Sequence, residues 1–305
     1  MRPYLKHHYI PQFYLRPWLG ADNKLTEYRR LKFPHEPVPR LEIKRRGTKE
    51  TGYEENLYTI PGATLETKHN VEKIFMGLVD KRAADARDLL LRSIIPTEPE
   101  LRHAWARFLL SLIIRTPEEI RALKNRIVRD LNVPDPDFQS RYDQVRKESW
   151  PATIGEYLQQ ENPKMIERTA IIVATKLIQH ENVLRTFMRA MWWVLDTSSV
   201  SRRVLTSDHP LIMTNGLGRP DGHFALPLSP TKVFVAFIHA DFGEAVRRVP
   251  VGRMVRDIND AVIGQGRRSV YAFNEQSTAE VKRRMGKRDY MLPWSSERAT
   301  SGNGP

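Results

Sequence analysis

A change of hydrophobic period is the strongest constraint on how this chain can fold. Short alternating stretches open it, a run at helical spacing occupies residues 69 to 188, and β-like stretches return afterwards. In the first helical stretch Val71, Ile74, Phe75, Leu78, Val79, Ala86, Leu89 and Leu90 fall largely at steps of three and four. Thr97 to Glu100 has the form of a capping box, and it starts a second helix with Leu101, Trp105, Phe108, Leu109, Leu112 and Ile113 on its apolar face. Thr116-Pro117-Glu118-Glu119 repeats the device, with Pro at the first helical position, and predicts a third helix as far as Leu131. Val133-Pro134-Asp135-Pro136-Asp137 breaks the pattern. Residues 137–150 then read as either an exposed helix or a mobile arm, and residues 163–188 as one long amphipathic helix.

On either side the pattern is that of strands. Lys24–Tyr28 and Leu41–Lys44 alternate polar with apolar, and Asn56–Ile60 reads as a short strand stopped by Pro61-Gly62. Met191–Leu195, Arg203–Thr206 and Lys232–Ile238 read as strands of one sheet, followed by a helix over Val251–Ile263 and a strand over Ser269–Phe273. The expectation is an α+β fold in which the helical middle packs against a mixed or antiparallel sheet built from N-terminal and C-terminal segments. It is a single domain over residues 1–290 followed by a disordered tail, 291–305. Two domains divided near residues 150–162 are the alternative.

Composition excludes several chemistries. With no cysteine among 305 residues, disulfide frameworks, thiol nucleophiles, Cys-ligated zinc and iron–sulfur clusters are ruled out. No apolar run approaches the roughly 18 residues of a membrane span, and the opening is interrupted by Pro and charge, so a cytoplasmic protein with no membrane partner is expected. The net charge is +13. Residues 1–49 hold 12 Lys or Arg against 4 acids, an excess that favours a polyanion such as nucleic acid. No Walker phosphate loop, G-x-G-x-x-G, G-x-S-x-G elbow, H-E-x-x-H or EF-hand loop occurs.

Five places could carry chemistry. His7-His8-Tyr9-Ile10-Pro11-Gln12 packs two imidazoles and an amide together. Neighbouring side chains on an extended chain point oppositely, so one His faces a pocket or the core and the other its opposite side. Either His serves as general base or metal ligand, or both are structural. Thr206-Ser207-Asp208-His209-Pro210 ends a β-like segment with a carboxylate suited to a divalent cation or to orienting a histidine, though the same residues make an ordinary turn. Glu72 and Asp80 share broadly one side of the first helix and could supply carboxylates to one cleft, or pair with nearby Lys and Arg. Arg115 ends the second helix, where the helix dipole alone favours a cation; facing a cleft, it would clamp a phosphate. Trp192-Trp193 reads as core in preference to a base-stacking platform.

Taken in order, His7-His8-Tyr9-Ile10-Pro11-Gln12-Phe13-Tyr14-Leu15, the Val71-Glu72 helix, Arg115-Thr116-Pro117, Thr206-Ser207-Asp208-His209-Pro210 and Leu226-Pro227-Leu228-Ser229-Pro230 resemble the microbial domain-of-unknown-function family 4238 over residues 5 to 275. His209 stands where members often carry Asn, and Asp80 where Glu is frequent. The resemblance implies that these separated polar positions belong to one set, which a single cleft would explain.

The functional expectation is a metal-dependent, nuclease-like phosphodiester hydrolase acting on nucleic acid in microbial conflict or phage defence. His7 or His8 would be base or ligand, Gln12 would position water, Arg115 would steady the phosphate, and Glu72 with Asp208 would hold Mg²⁺ or Mn²⁺. The alternative is a non-enzymatic nucleic-acid-binding or regulatory domain with His8, Gln12 and Asp208 in a buried network. A hydrolase for a small phosphorylated or acyl substrate is the third reading. An open cavity with converging polar groups favours an enzyme, full burial favours a scaffold, and a basic groove favours nucleic acid.

Overall fold

The computed structural model describes residues 6–36, 38–59, 78–133, 135–214, 219 and 221–288. Glu72, the Val71–Phe75 stripe and the 291–305 tail lie outside them.

Strand β1 (Lys6–His8) leads into a one-turn helix α1 (Gln12–Leu15), then the hairpin β2 (Leu25–Leu31) and β3 (Arg40–Arg46), then β4 (Tyr53–Glu55). The middle is helical: α2 (Leu78–Leu91), α3 (Pro99–Ile114), α4 (Pro117–Asn132), α5 (Pro136–Val145), α6 (Ile154–Glu161), α7 (Met165–Ile178) and α8 (Glu181–Arg189). There follow β5 (Met191–Asp196), β6 (Thr206–Ser207), β7 (Ile212–Thr214), β8 (His223–Ser229), β9 (Lys232–Phe237), α9 (Ala240–Arg247), α10 (Val251–Gln265), β10 (Ser269–Ala272) and α11 (Thr278–Arg284).

The fold is α+β and its sheets are antiparallel, but the β-rich ends do not make one sheet. The N- and C-terminal segments meet in a sheet of order β3-β2-β10-β6, while β5-β9-β8-β7 forms a second and β1-β4 a two-stranded ribbon. Residues 191–237 separate because β8 and β9 are apolar on both faces and need cover on both. Trp192, Phe224, Leu226 and Phe234 pack into the helical core with Trp105, Phe108 and Phe187, while Leu195, Val233 and Val235 pack on Met254, Val255 and Val262 of α10. The next residue of α10, Ile263, joins Tyr28, Val270, Val281 and Met285 against the other large sheet. Helix α10 is therefore a wedge between two sheets, and its C-terminal end sits beside β6 and β10.

Several helix ends differ from expectation. Thr116 caps α4 as expected, accepting from the Glu119 amide. Helix α3 starts from Glu98 without a side-chain cap, its Pro99 already supplying the fixed φ of a first turn. The 163–188 stretch is two helices broken at Gln179-His180, because α7 packs on α3 and α4 whereas α8 turns to lay Leu184 and Phe187 against α3. Residues 136–161 form the helical pair α5 and α6, joined around Tyr142, Trp150 and Tyr157. Residues 56–58 are turn; the strand precedes them as β4. Trp192 is core, with the Arg102 guanidinium 3.9 Å from its ring. Among the described residues no helix is long and apolar enough to cross a membrane.

Candidate functional site

Two polar centres contain the sequence-derived candidates that lie among the described residues. The first begins at β1, which pairs with β4 so that His7 lies opposite Glu54 and His8 opposite Tyr53. Alternation sends the two imidazoles apart, as extended backbone requires. His7 stacks on Tyr58 at 5.4 Å and accepts the Tyr58 amide on Nδ1 at 2.9 Å. His8 packs against Tyr53, and its buried Nε2 has no hydrogen-bond partner. Burial lowers the His8 pKa, and the nearby Arg115 charge acts in the same direction.

Arg115 is fully buried at the end of α3. Its Nη2 donates to the His8 carbonyl at 3.1 Å and its Nη1 to Asp80 Oδ1 at 3.3 Å; its own carbonyl accepts a short bond from the Tyr58 hydroxyl. Burial alone would lower the pKa of Arg115, but Asp80 and Tyr58 outweigh it and raise it; burial pushes Asp80 up while Arg115 pulls it down. Arg115 thus ties α2, α3 and β1 together from inside the molecule. Gln12, half-buried, starts α1 next to Pro11.

The second centre is built around Asp208, just after β6 and 1% exposed. Its Oδ1 accepts the Arg267 amide at 2.9 Å and its Oδ2 the Arg268 amide at 2.6 Å, so this carboxylate holds the turn between α10 and β10. Oδ1 is also 3.3 Å from His209 Nδ1. Gln265 donates to the carbonyls of His209 and Leu211, fixing the segment that follows. Beneath lie buried Tyr9 and Tyr271, both pushed well above the ordinary phenol range by burial, and Glu27, which accepts from Thr51 and Ser269 and pairs with Arg46 at 2.7 Å. Among the described residues no hydrogen bond joins the side chains of His8, Gln12 and Asp208, and no group of three or more His, Asp or Glu side chains could hold a metal ion.

A chain of ion pairs connects the centres. Glu54, opposite His7, pairs with both Arg121 of α4 and Arg268, and Arg268 Nε donates to Glu118 at 2.6 Å. Arg268 also lies 5.8 Å from the Tyr9 ring centre. Helix α4 is thereby anchored to the start of β10.

Outside this framework opens a cleft of about 920 Å³, its cationic wall formed by Arg29, Arg30 and Lys32 from the end of β2 with Arg267 and Arg268 from the turn that Asp208 holds. Glu118 is the carboxylate among its lining residues, His209 borders it while itself only 3% exposed, and Phe33, 43% exposed, stands in its wall. The two cationic segments are 235 to 239 residues apart in number, yet the Arg30 amide donates to the Arg268 carbonyl at 2.8 Å. Gly286 completes the wall with φ +70°, and a Cβ there would run into the Arg30 guanidinium. Among the described residues no carboxylate lies within 4 Å of Arg29, Arg30 or Lys32.

Reasoning from the sequence missed this cleft. Arg29, Arg30 and Lys32 enter the sequence reading only through the basic N-terminal excess; the available signal was an arginine pair next to each of two strand-like segments, Arg29-Arg30 and Arg267-Arg268. The cleft, its Asp208–His209 pair and the buried framework define an α+β protein with a cleft lined mainly by cationic side chains. The family model described as "Protein of unknown function (DUF4238)" matches residues 6–276, and the chain belongs to that family. No curated protein and no solved structure matches it.

Proposed function

We propose that this chain binds nucleic acid through its phosphates in the β2–β10 cleft, and that it cleaves a phosphodiester there: His209, its imidazole turned out of its buried position, takes the proton of the attacking water, and the departing sugar oxygen takes one from solvent. The observation that carries the reading is the convergence on one cavity, which His209 also lines, of Arg29, Arg30, Lys32 and Arg267, with Arg268 beside them already paired to Glu54 and Glu118. A cluster of like charges repels itself, and polyanion binding relieves that repulsion while releasing counterions. Phe33 in the wall offers a surface on which a base can stack. Asp208 would orient His209, as a carboxylate orients a catalytic imidazole elsewhere. His7, His8 and Arg115 serve on this reading as the buried frame that holds β1 and α3.

A metal-assisted form of the reaction would draw on Asp208 and on Glu72, the latter outside the described residues. Asp208 would then have to loosen at least one of its two amide partners to coordinate Mg²⁺ or Mn²⁺.

The test is anisotropy titration of labelled single- and double-stranded oligonucleotides across a salt series, with cleavage followed on the same samples with and without Mn²⁺. Lys32→Ala and Arg29→Ala are expected to weaken binding and to reduce the log–log salt slope by roughly 0.7 to 0.9 per lost contact. His209→Gln is expected to bind like the parent and not to cleave. Absence of binding at low salt, or slopes unchanged in both cation variants, would overturn the binding reading. Cleavage by His209→Gln would remove the catalytic one alone.

A further inference from the structure

A second basic cleft, of about 570 Å³, lies at the other end of β10 between the 201–205 segment, α10 and α11. The four residues of β10 separate the two, with Arg267 and Arg268 before the strand and Phe273 after it. At about 3.4 Å per residue that is roughly 14 Å of chain, so these are distinct sites.

Five arginines line this cleft: Arg202, Arg203, Arg256, Arg283 and Arg284. Two are neutralised locally, Arg202 by Glu280 at 3.2 Å and Arg284 by a close contact with Asp260. Among the described residues Arg203, Arg256 and Arg283 have no carboxylate within 4 Å. Three unneutralised guanidinium groups around one cavity repel each other, and an anion carrying several oxygens relieves that with forked hydrogen bonds. The backbone at Arg203 is firmly set. Its carbonyl accepts from Asn259 Nδ2 at 2.9 Å, and the flanking Val204 and Leu205 are held by Trp18, Pro230 and Asn259.

The rest of the lining has a different chemistry. Phe273, 39% exposed, lines it together with Asn274 and Gln276. The Phe273 carbonyl is clamped by Arg45 Nη1 at 3.0 Å, and Asn274 Oδ1 accepts the Gln276 amide at 3.2 Å, so the segment bearing the ring is tied down. A cavity of this size accommodates a ligand of the order of one nucleotide.

We infer that this second cleft binds a nucleoside monophosphate, with its phosphate among Arg203, Arg256 and Arg283 and its flat base against Phe273. The inference does not depend on nucleic-acid binding at the first cleft.

The test is calorimetric titration of the full chain with each of the four ribonucleoside 5′-monophosphates, beside inorganic phosphate and the four free nucleosides. Arg256→Ala and Arg283→Ala change exposed side chains, and Phe273→Leu keeps bulk while removing the aromatic face. At least one monophosphate should bind saturably and more tightly than its nucleoside or phosphate. Each arginine variant should weaken it by about tenfold or more. Phe273→Leu should weaken the nucleotide but not phosphate, and oligonucleotide affinity should stay the same in all three. No saturable binding, or binding unchanged in both arginine variants, overturns the inference. Loss of nucleotide binding in Arg29→Ala in place of Arg256→Ala would assign the ligand to the first cleft and overturn it equally.

Discussion

Replacing Asp208 separates a framework role from a chemical one. Its two oxygens accept the Arg267 and Arg268 amides at 2.9 and 2.6 Å in a site 1% exposed. Hydrogen bonds to a charged acceptor are worth about 1.5 to 3 kcal/mol each, and a buried donor left unpaired costs about 1 to 3 kcal/mol. Arg267 and Arg268 are only half-buried, so water can recover part of that loss. Asp208→Ala should therefore destabilise the fold by about 2 to 4 kcal/mol. Asp208→Asn keeps one acceptor but turns an NH₂ group towards an amide donor, and should cost nearly as much. Urea unfolding followed by far-UV circular dichroism measures both. Because the same turn carries two of the cleft's five cations, oligonucleotide binding should weaken in parallel with stability. A fully stable Asp208→Ala protein, within about 0.5 kcal/mol of the parent, would refute the framework argument. If that stable variant also lost cleavage, Asp208 would be a ligand or catalytic group held in place by others.

Two further predictions concern the first polar centre. Arg115→Met leaves Asp80 buried without its partner and should cost about 3 to 5 kcal/mol near neutral pH. Since burial already raises the Asp80 pKa, protonated Asp80 favours the folded state; its contribution is complete below the unfolded carboxyl pKa and is lost as pH rises through the folded value. Without Arg115 that loss should grow, so the variant's deficit in urea titrations should be smaller at about pH 4 than at pH 7; a deficit independent of pH would count against the pairing. For His8 the sign is reversed: its lowered pKa gives stability present above the unfolded value of about 6.5 and lost as pH falls through the folded one. Stability profiles of the parent should therefore fall below about pH 6.5 more steeply than those of His8→Leu. Coincident profiles would place His8 in contact with solvent or with an acid.

Several local signals held, although the Thr97 capping box and the strand at Asn56–Ile60 did not. The Thr116 cap, the β2–β3 alternation, the opposite directions of His7 and His8, and the helix over Val251–Ile263 all depend on neighbouring residues, whose spacing specifies periodicity and caps directly. The division of the 163–188 run at Gln179-His180 was not visible in the same way. Both halves keep a helical period, and the break serves two different packing partners. The single expected sheet likewise became two large sheets because apolar faces on both sides of β8 and β9 record a need for cover without saying what provides it.

The candidate site shows the same division. From the sequence alone, His7, His8, Arg115 and Asp208 stand out as polar residues in ordered surroundings, and the basic excess points to an anionic partner. Residue type cannot distinguish a carboxylate that binds a cation from one that receives two backbone amides, since both are the same acceptor. Only the tertiary structure decided that Asp208 holds the turn, that Arg115 is enclosed between α2 and β1, and that Arg29, Arg30 and Lys32 meet Arg267 and Arg268. The physical reason is that β2 and β10 pair across more than two hundred residues of chain. Hydrophobic burial on either face of α10 brings the strands together, and the charges at their ends are carried along.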